Sequence, residues 1–239
     1  MRIDKLLAHS GLGTRKEVKK LLKTKIVKVN DEVVTNPKVH VNPDADNITV
    51  GGEPIDYQEF VYFMLNKPQG VISATEDVMH ETVLDLLELQ DSLQDPHPVG
   101  RLDIDTEGLL VLTNDGKLTH QLLSPKKEVP KTYVAEVSGI MTSEDINAFS
   151  AGITLDDDYE TLPAQLVIKE VDEESQTSKV EITIHEGKFH QVKRMVQAVG
   201  KEVTYLKRLS MGSLKLDPTL ELGSYRELTK EEIDLLKNA

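Results

Sequence analysis

Three acidic side chains at alternate positions mark the segment of the chain that is best suited to chemistry. Asp103, Asp105 and Glu107 lie in the run GRLDIDTEGLL, which covers residues 100–110 and includes Gly108. The apolar residues that follow predict a buried strand, so the acids stand where a loop meets a rigid element. An ionised carboxylate in such a position can act as a nucleophile or stabilise a reacting group. The run is therefore a candidate catalytic loop.

Two other interpretations of this run have to be weighed. An EF-hand calcium loop begins in a similar way, but it requires a glutamate at its twelfth position. Counted from Asp103, that position is Asn114, and residues 109–112 are too apolar to supply ligands. A solvated acidic turn is the other interpretation. Calcium is disfavoured, whereas the catalytic loop and the acidic turn both stay open on local sequence alone.

A second segment, HEGKFHQVKRM at residues 185–195, combines histidines with cations. The zinc-protease pattern H-E-x-x-H is not met, because the second histidine, His190, comes one residue late. We therefore predict no metal site. A helix that follows Gly187 would bring backbone N–H groups together with Lys193 and Arg194, which is typical of a phosphate site. An ordinary amphipathic helix with a solvated basic face fits the same pattern.

The charge of the chain is acidic overall but unevenly distributed. The net charge of −13 at pH 7 argues by itself against nucleic acid as a partner. However, residues 1–40 contain ten Lys or Arg and only four acids, and a second basic cluster covers residues 187–208. Basic patches on an acidic protein can bind phosphates locally. Each patch is a candidate RNA contact, with a solvated surface as the alternative.

Several classes of protein are disfavoured by what the sequence lacks. It has no cysteine, and it has no P-loop, no dinucleotide-binding glycine motif after a strand and no serine nucleophile elbow. We therefore expect no disulfide and no nucleotide cofactor. No run approaches the roughly 18 apolar residues of a membrane span, and the first residues lack the features of a signal peptide. These observations predict a cytoplasmic protein without membrane association.

The N-terminal part predicts two helices, a hairpin and a further strand. The first helix runs from Arg2 to His9, and a second one begins after Thr14, which has capping-box spacing to Glu17. Helical periodicity separates an apolar stripe at residues 18, 21 and 22 from the lysines. A hairpin covers residues 26–34, a strand covers residues 47–50, and the glycines and proline of residues 51–58 predict a boundary. We predict one domain at residues 1–57 and a second one at residues 60–239.

The larger part predicts alternating strands and helices. The predicted strands cover residues 60–66, 109–113, 132–137 and 180–185, and the predicted helices cover residues 83–87, 118–123 and 192–199 plus a last helix after Thr229. Strands that alternate with period two are typical of half-buried antiparallel sheets. The fold class is therefore α+β, with a mixed, mainly antiparallel sheet flanked by helices.

Together these segments resemble the RsuA-type family of ribosomal pseudouridine synthases over nearly the whole chain. RIDKLLAHSG, TRKEVKKLLK and VKVND resemble a small S4 (αL-type) RNA-binding domain. FMLNKPQGV, GRLDIDTEGLLVLTNDG, KTY, EGKFHQVKRMVQAVG and LKRLSMGSLKL resemble the motifs of the synthase domain. Any one of these motifs would be weak evidence, but five in the same order are specific as a set.

The resemblance implies roles for individual residues. Asp103 matches the catalytic aspartate, and Tyr133 matches a tyrosine under the target base, although a core or edge tyrosine is the alternative. Arg101, Lys193 and Arg194 would support the site, with Lys193 as the first choice and Arg194 as the second choice for the cation beside Asp103. The expected RNA-binding residues are Arg15, Lys16, Lys19, Lys20, Lys23, His190, Lys207 and Arg208.

The resemblance also implies a reaction and a partner. The expected activity is the cofactor-free isomerisation of a uridine to pseudouridine, and the expected partner is ribosomal RNA or a pre-ribosomal particle, bound by a monomer. Phe189-His190 favours the small-subunit (16S) RNA, because large-subunit relatives tend to carry Asn-Arg at these positions. The alternatives are the same chemistry on 23S RNA and a non-catalytic ribosome-assembly factor.

Overall fold

The computed structural model describes residues 1–55 and 57–239; Asp56, which belongs to the predicted boundary segment 51–58, lies outside the described residues. The helices are α1 (Ile3–His9), α2 (Arg15–Lys23), α3 (Leu89–Ser92), α4 (Gly116–Leu123), α5 (Ser143–Ala151), α6 (Gln191–Ala198) and α7 (Lys230–Lys237), with a 3-10 helix at Pro125–Lys127. The strands are β1 (Val27–Val29), β2 (Glu32–Val33), β3 (Ile48–Val50), β4 (Glu53–Pro54), β5 (Tyr62–Lys67), β6 (His97–Pro98), β7 (Glu107–Thr113), β8 (Lys131–Ser138), β9 (Gln165–Asp172), β10 (Thr177–Ile184), β11 (Glu202–Met211), β12 (Leu214–Lys215) and β13 (Tyr225–Glu227). None of the helices in this described part is long and apolar enough to cross a membrane.

The N-terminal elements form a small unit around their own core. Strands β2-β1-β3-β4 make a four-stranded sheet, and helices α1 and α2 pack on it through Leu6, Leu7 and Leu22. The predicted capping box at the start of α2 is confirmed, since the Thr14 side chain accepts from the N–H of Glu17. The hairpin turn at residues 30–31 is also confirmed, with positive φ at both positions.

The remaining strands form a nine-stranded sheet that positions the candidate catalytic loop. Its order is β13-β5-β7-β11-β8-β10-β9, with β12 beside β11 and β6 beside β7. Strand β11 runs parallel to β7, whereas the other pairs are antiparallel. The prediction of a mixed, mainly antiparallel sheet is therefore confirmed.

Strand β7 is buried on both faces of this sheet. Leu110 and Leu112 join the larger core cluster, which also contains residues of α5 and α6. Leu109 and Val111 join the smaller cluster, which contains residues of α4 and α7. Burial on both faces explains the uninterrupted apolar run in the sequence. It also anchors the end of the acidic loop that precedes β7.

The predicted helix at residues 83–87 is wrong. Those residues form turns, and the short helix α3 begins later, at Leu89. The carboxylate of Asp85 accepts hydrogen bonds from both the backbone N–H and the hydroxyl of Thr82, at 2.7 and 2.8 Å. Val83 and Leu87 are buried in the larger core. Their helix-like spacing therefore reflects two core contacts from a turn rather than one face of a helix.

A substitution at Gly108 tests how tightly β7 and β11 approach each other. Gly108 has φ +101, and a Cβ atom there would overlap the backbone oxygen of Arg208 and lie 2.9 Å from its nitrogen. Gly108→Ala should therefore lower the free energy of unfolding by about 2–4 kcal/mol. Urea denaturation followed by circular dichroism measures this change. Gly116→Ala is the matched control, because nothing lies within 4 Å of its Cβ position; equal stability of the two variants would contradict the prediction.

Candidate active site

The acidic run forms a short loop whose two ends are anchored in the protein. Leu102 and Thr106 are buried, and the N–H of Thr106 bonds the carbonyl of Asp103 at 3.0 Å. The Ser73 hydroxyl donates to the carbonyl of Leu102 and accepts from its N–H, both at 3.0 Å. Between the anchors, the Asp103 side chain keeps 27% of its surface exposed. The loop therefore presents one carboxylate on a fixed base.

The buried side chain of Lys67 anchors this loop through hydrogen bonds. It is completely buried at the end of β5, and its Nζ donates to the carbonyls of Pro68, Asp103 and Thr106 at 2.9, 3.0 and 2.9 Å. Burial lowers its pKa to about 8, although the nearby acids oppose this shift. The role of this residue was not predicted from the sequence. A lysine at the end of an apolar strand gives no signal that its ammonium turns inward.

Lys193 supplies the cation beside Asp103. Its Nζ lies 3.1 Å from Oδ2 of Asp103 and 2.6 Å from Oδ1 of Asp105. Burial lowers the pKa of Lys193, but its hydrogen bonds to Asp105 and Asp103 outweigh this effect and raise it overall. For Asp105, burial raises the pKa, but the hydrogen bond from Lys193 outweighs this effect and brings the pKa below its usual range. Lys193 is therefore charged and shared between two carboxylates.

Helix α6 brings a second group to Asp103. His190 precedes the helix with a left-handed backbone, φ 47, and its Nε2 lies 3.5 Å from Oδ1 of Asp103. Its ring stacks on that of Phe189, with centroids 3.7 Å apart. Helix α6 itself packs into the larger core through Val192 and Met195. The helix is followed by Gly200, which has φ 77.

Tyr133 lies on the same face of the sheet as α6. It is 8% exposed and belongs to the larger core cluster together with Leu102, the residue before Asp103. Across the sheet it pairs with Arg208, which in turn pairs with Gly108. This register places the tyrosine two strands away from the strand that follows the acidic loop. Its burial also fits the alternative of a core tyrosine.

Two of the residues predicted to support the site do not contact Asp103. Among the described residues, Arg101 makes no ion pair, and it lines an open groove of about 530 Å³ with Thr75, Glu76 and Gly100. Arg194 binds Asp156 and Asp157 instead, with its Nη2 2.6 Å from Oδ1 of Asp157. The second choice for the cation beside Asp103 is therefore wrong. The strong pairing of Arg194 also raises its pKa.

The prediction that Arg208 binds RNA at the surface is wrong. It is 2% exposed, and its Nε donates to the carbonyl of Leu109 at 2.8 Å inside the sheet. A guanidinium enclosed in this way cannot serve as an exposed phosphate contact, because the side chain points into the protein. Its neighbour Lys207 is half-buried on the same strand. Two adjacent basic residues of a strand point to opposite faces of the sheet. Counting charges in the sequence does not show which of the two is exposed.

The cations of α2 are exposed, as their periodicity predicts. Val18 and Leu22 are buried in the N-terminal core, and the opposite side of the helix faces outward. The exposed cations on it are Arg15, Lys16, Lys19, Lys20 and Lys23. This arrangement is a cationic surface about two and a half turns long.

Comparison with known proteins identifies both parts of the chain. The RNA pseudouridylate synthase family matches residues 61–198, and the S4 domain matches residues 1–47. YtzG of Bacillus subtilis, named an uncharacterized RNA pseudouridine synthase, is 54% identical over 99% of this chain and 98% of its own. The ribosomal large subunit pseudouridine synthase B of the same organism is 43% identical, over 99% and 95% of the two chains.

A small-subunit relative and a solved structure give the same result. The ribosomal small subunit pseudouridine synthase A of Vibrio cholerae is 42% identical, over 98% of each chain. A crystal structure of a pseudouridylate synthase is 36% identical, covers 99% of each chain and superimposes with a TM-score of 0.67. An S4 domain and a synthase fold both imply RNA binding. The chain therefore belongs to the RNA pseudouridylate synthase family and carries an S4 domain at its N-terminus.

Proposed function

We propose that this chain isomerises a uridine of ribosomal RNA to pseudouridine, with Asp103 as the catalytic carboxylate. The observation that carries the proposal is the position of Asp103, partly exposed on an anchored loop and 3.1 Å from the ammonium of Lys193. Family membership supplies the class of reaction. Relatives named for both ribosomal subunits support ribosomal RNA as the substrate. We propose the cytoplasm as the compartment in which the chain meets this RNA.

The proposed reaction needs one carboxylate and a uracil that stays bound while it turns. The C1′–N1 bond of the uridine breaks, the base turns, and a C1′–C5 bond forms; C5 then loses its proton and N1 gains one. Atoms and electrons balance without an oxidant or an energy source. Asp103 can attack the sugar, attack the base or take a proton in a glycal route, and all three use the same side chain.

The other residues of the site receive supporting roles in this proposal. Lys193 holds the Asp103 carboxylate in place and offsets its negative charge, because its ammonium lies 3.1 Å from Oδ2 of Asp103. Tyr133 lies under the target base once that base has left its stack. Arg101 contacts RNA along the groove beside the loop. Arg194 fixes helix α6 through the acidic pair at residues 156–157 rather than touching Asp103.

Replacing Lys67 tests whether its hydrogen bonds to the acidic loop are needed for the reaction. Lys67→Met removes three hydrogen bonds, so the loop can shift and the rate of isomerisation should fall by about tenfold or more. RNA affinity should change little, because Lys67 is buried. Single-turnover kinetics and RNA binding measure the two effects. Lys131→Met is the matched control, since Lys131 is also buried and donates to a single carbonyl, that of Val129; equal rate losses in both variants would contradict the role.

We further propose that residues 1–57 and 60–239 act as two domains of a monomer, with the cationic surface of α2 binding RNA phosphates. Reversing the charge of Lys16, Lys19 and Lys20 should lower RNA affinity by at least tenfold at moderate salt. The slope of affinity against salt should also become shallower, because fewer counterions are released. Fluorescence anisotropy across a salt series measures both quantities.

A matched charge reversal separates local contact from net charge. Lys179, Lys215 and Lys230 are exposed in the synthase domain and lie outside residues 1–40 and 187–208 of the sequence. Reversing these three changes the net charge by the same amount. If both triple variants lose the same affinity, α2 is not part of the RNA interface.

The ribosomal subunit is the finer part of the proposal. We propose the small-subunit (16S) RNA, on the basis of Phe189-His190; identities of 42% and 43% to small- and large-subunit enzymes do not separate the two. Pseudouridine mapping of both ribosomal RNAs, with and without the gene, tests this choice. Loss of one modified site in 16S RNA supports it, and loss in 23S RNA replaces it by the large-subunit alternative. Unchanged maps would favour the non-catalytic assembly factor.

A further inference from the structure

Phe189 is an exposed aromatic side chain in a chain that has few of them. Aromatic residues make up 4% of the sequence, with four phenylalanines and no tryptophan. Phe63 and Phe149 are buried and Phe60 is 39% exposed, whereas Phe189 is 75% exposed. One of its neighbours, His190, stacks on it with an interplanar angle of 19°. Most of the Phe189 ring therefore remains free to contact a partner.

The segment that carries this ring is held rigidly. Gln191 is buried; its Oε1 accepts from the N–H of Lys188 and its Nε2 donates to Oε1 of Glu186, both at 2.9 Å. Glu186 is buried as well and accepts from the hydroxyl of Tyr159 at 2.7 Å. His190 adopts a left-handed backbone, which a residue with a side chain rarely does without support. These contacts hold the backbone on both sides of Phe189, whose ring lies at the surface.

The position of the ring relative to Asp103 defines what it can meet. His190 lies between them, with one side of its ring against Phe189 and its Nε2 3.5 Å from Asp103. A uridine that reacts at Asp103 therefore cannot rest on Phe189, since the imidazole separates the two. The next base along the strand can reach Phe189.

We infer that Phe189, backed by His190, is a stacking platform for an unpaired base adjacent to the reacting uridine. The inference rests on the proposed function, because it takes Asp103 as the place of the reaction. Aromatic rings bind unpaired bases of any type by stacking, with an effect on affinity of about tenfold for one base. The platform would thus select RNA whose target region is single-stranded or opened, without reading its sequence.

Binding of two short RNAs tests the platform directly. The probes are fluorescein-labelled pentauridylate and a pentamer in which only the central nucleotide keeps its base, the other four being abasic. Wild-type protein should bind the abasic probe about tenfold more weakly. Phe189→Ala should show little or no difference between the two probes, since it has no ring on which a flanking base could stack. Phe189→Tyr should restore the difference, and Phe189→Leu should not.

Two comparisons decide the outcome. Phe60→Ala is the matched control, because it removes another exposed phenylalanine and should behave as wild type with both probes. An equal loss of affinity for the abasic probe in wild type and Phe189→Ala overturns the platform. Turnover on ribosomal RNA is measured separately in wild-type protein. If ribosomal RNA is isomerised but wild type and Phe189→Ala lose the same affinity for the abasic probe, only the platform is refuted. If no pseudouridine forms, the proposed function is refuted, and the comparison of the two probes still tests stacking on Phe189.

Discussion

Replacing Asp103 with asparagine should lower the rate of pseudouridine formation by about a thousandfold or more, while RNA affinity stays within about threefold of wild type. The amide has nearly the same size as the carboxylate, so the anchored loop can keep its shape. It carries no negative charge, however, and can neither attack the nucleoside nor accept its proton at a useful rate. Release of tritium from C5 of labelled uridine in ribosomal RNA measures the rate, and filter binding measures the affinity.

The control for this variant is another isosteric change in an ion pair. Asp156→Asn removes a carboxylate that contacts Arg194 and is 74% exposed. Its effect on turnover should be small, because Asp156 pairs with Arg194 and not with Lys193, the cation that contacts Asp103. Full turnover by Asp103→Asn would refute the catalytic assignment. Wild-type protein that binds ribosomal RNA but never forms pseudouridine would instead support the assembly-factor alternative.

Replacing Lys193 with methionine should lower the rate by about a hundredfold, as removal of one charged donor from an active site commonly does. The variant leaves Asp103 and Asp105 without their shared cation. Asp103 then has no charged donor beside it to hold its carboxylate in place and to offset charge that develops during the reaction. Single-turnover rates on ribosomal RNA measure the loss.

Two further variants separate charge from structure at this position. Lys193→Arg keeps the cation and should retain most of the rate. Arg194→Met removes the adjacent cation, which contacts Asp156 and Asp157, and should keep a rate close to that of wild type. If Lys193→Met turns over as fast as wild type, Lys193 does not support the reacting carboxylate.

The periodic elements of this protein could be predicted because their causes are local. The capping boxes of α2 and α7, the hairpin turn at residues 30–31 and the alternation in β8 and β10 all follow from neighbouring residues. Strand β9 and helix α5 were not predicted. The exposed outer half of β9 carries few apolar residues, and the apolar residues of α5 are not gathered on one face, so neither gives a clear periodic signal.

The candidate site was predicted in part for the same reason. The acidic loop and the cationic helix were recognisable as segments, and Asp103 and Lys193 do meet across 3.1 Å. The sequence could not distinguish Lys193 from Arg194, because both are cations at adjacent positions of one helix. Packing decides between them: one points to the acidic loop and the other to residues 156–157.

By itself, the sequence determined the fold class, many of the helices and strands, and the segments that carry charge. Only the tertiary structure decided which charges are inside. Lys67 and Arg208 are basic residues of strands that look available for RNA, yet both are buried and bound to backbone carbonyls. The direction of a strand side chain depends on the register between β5, β7 and β11, and that register is set by contacts between residues far apart in the chain.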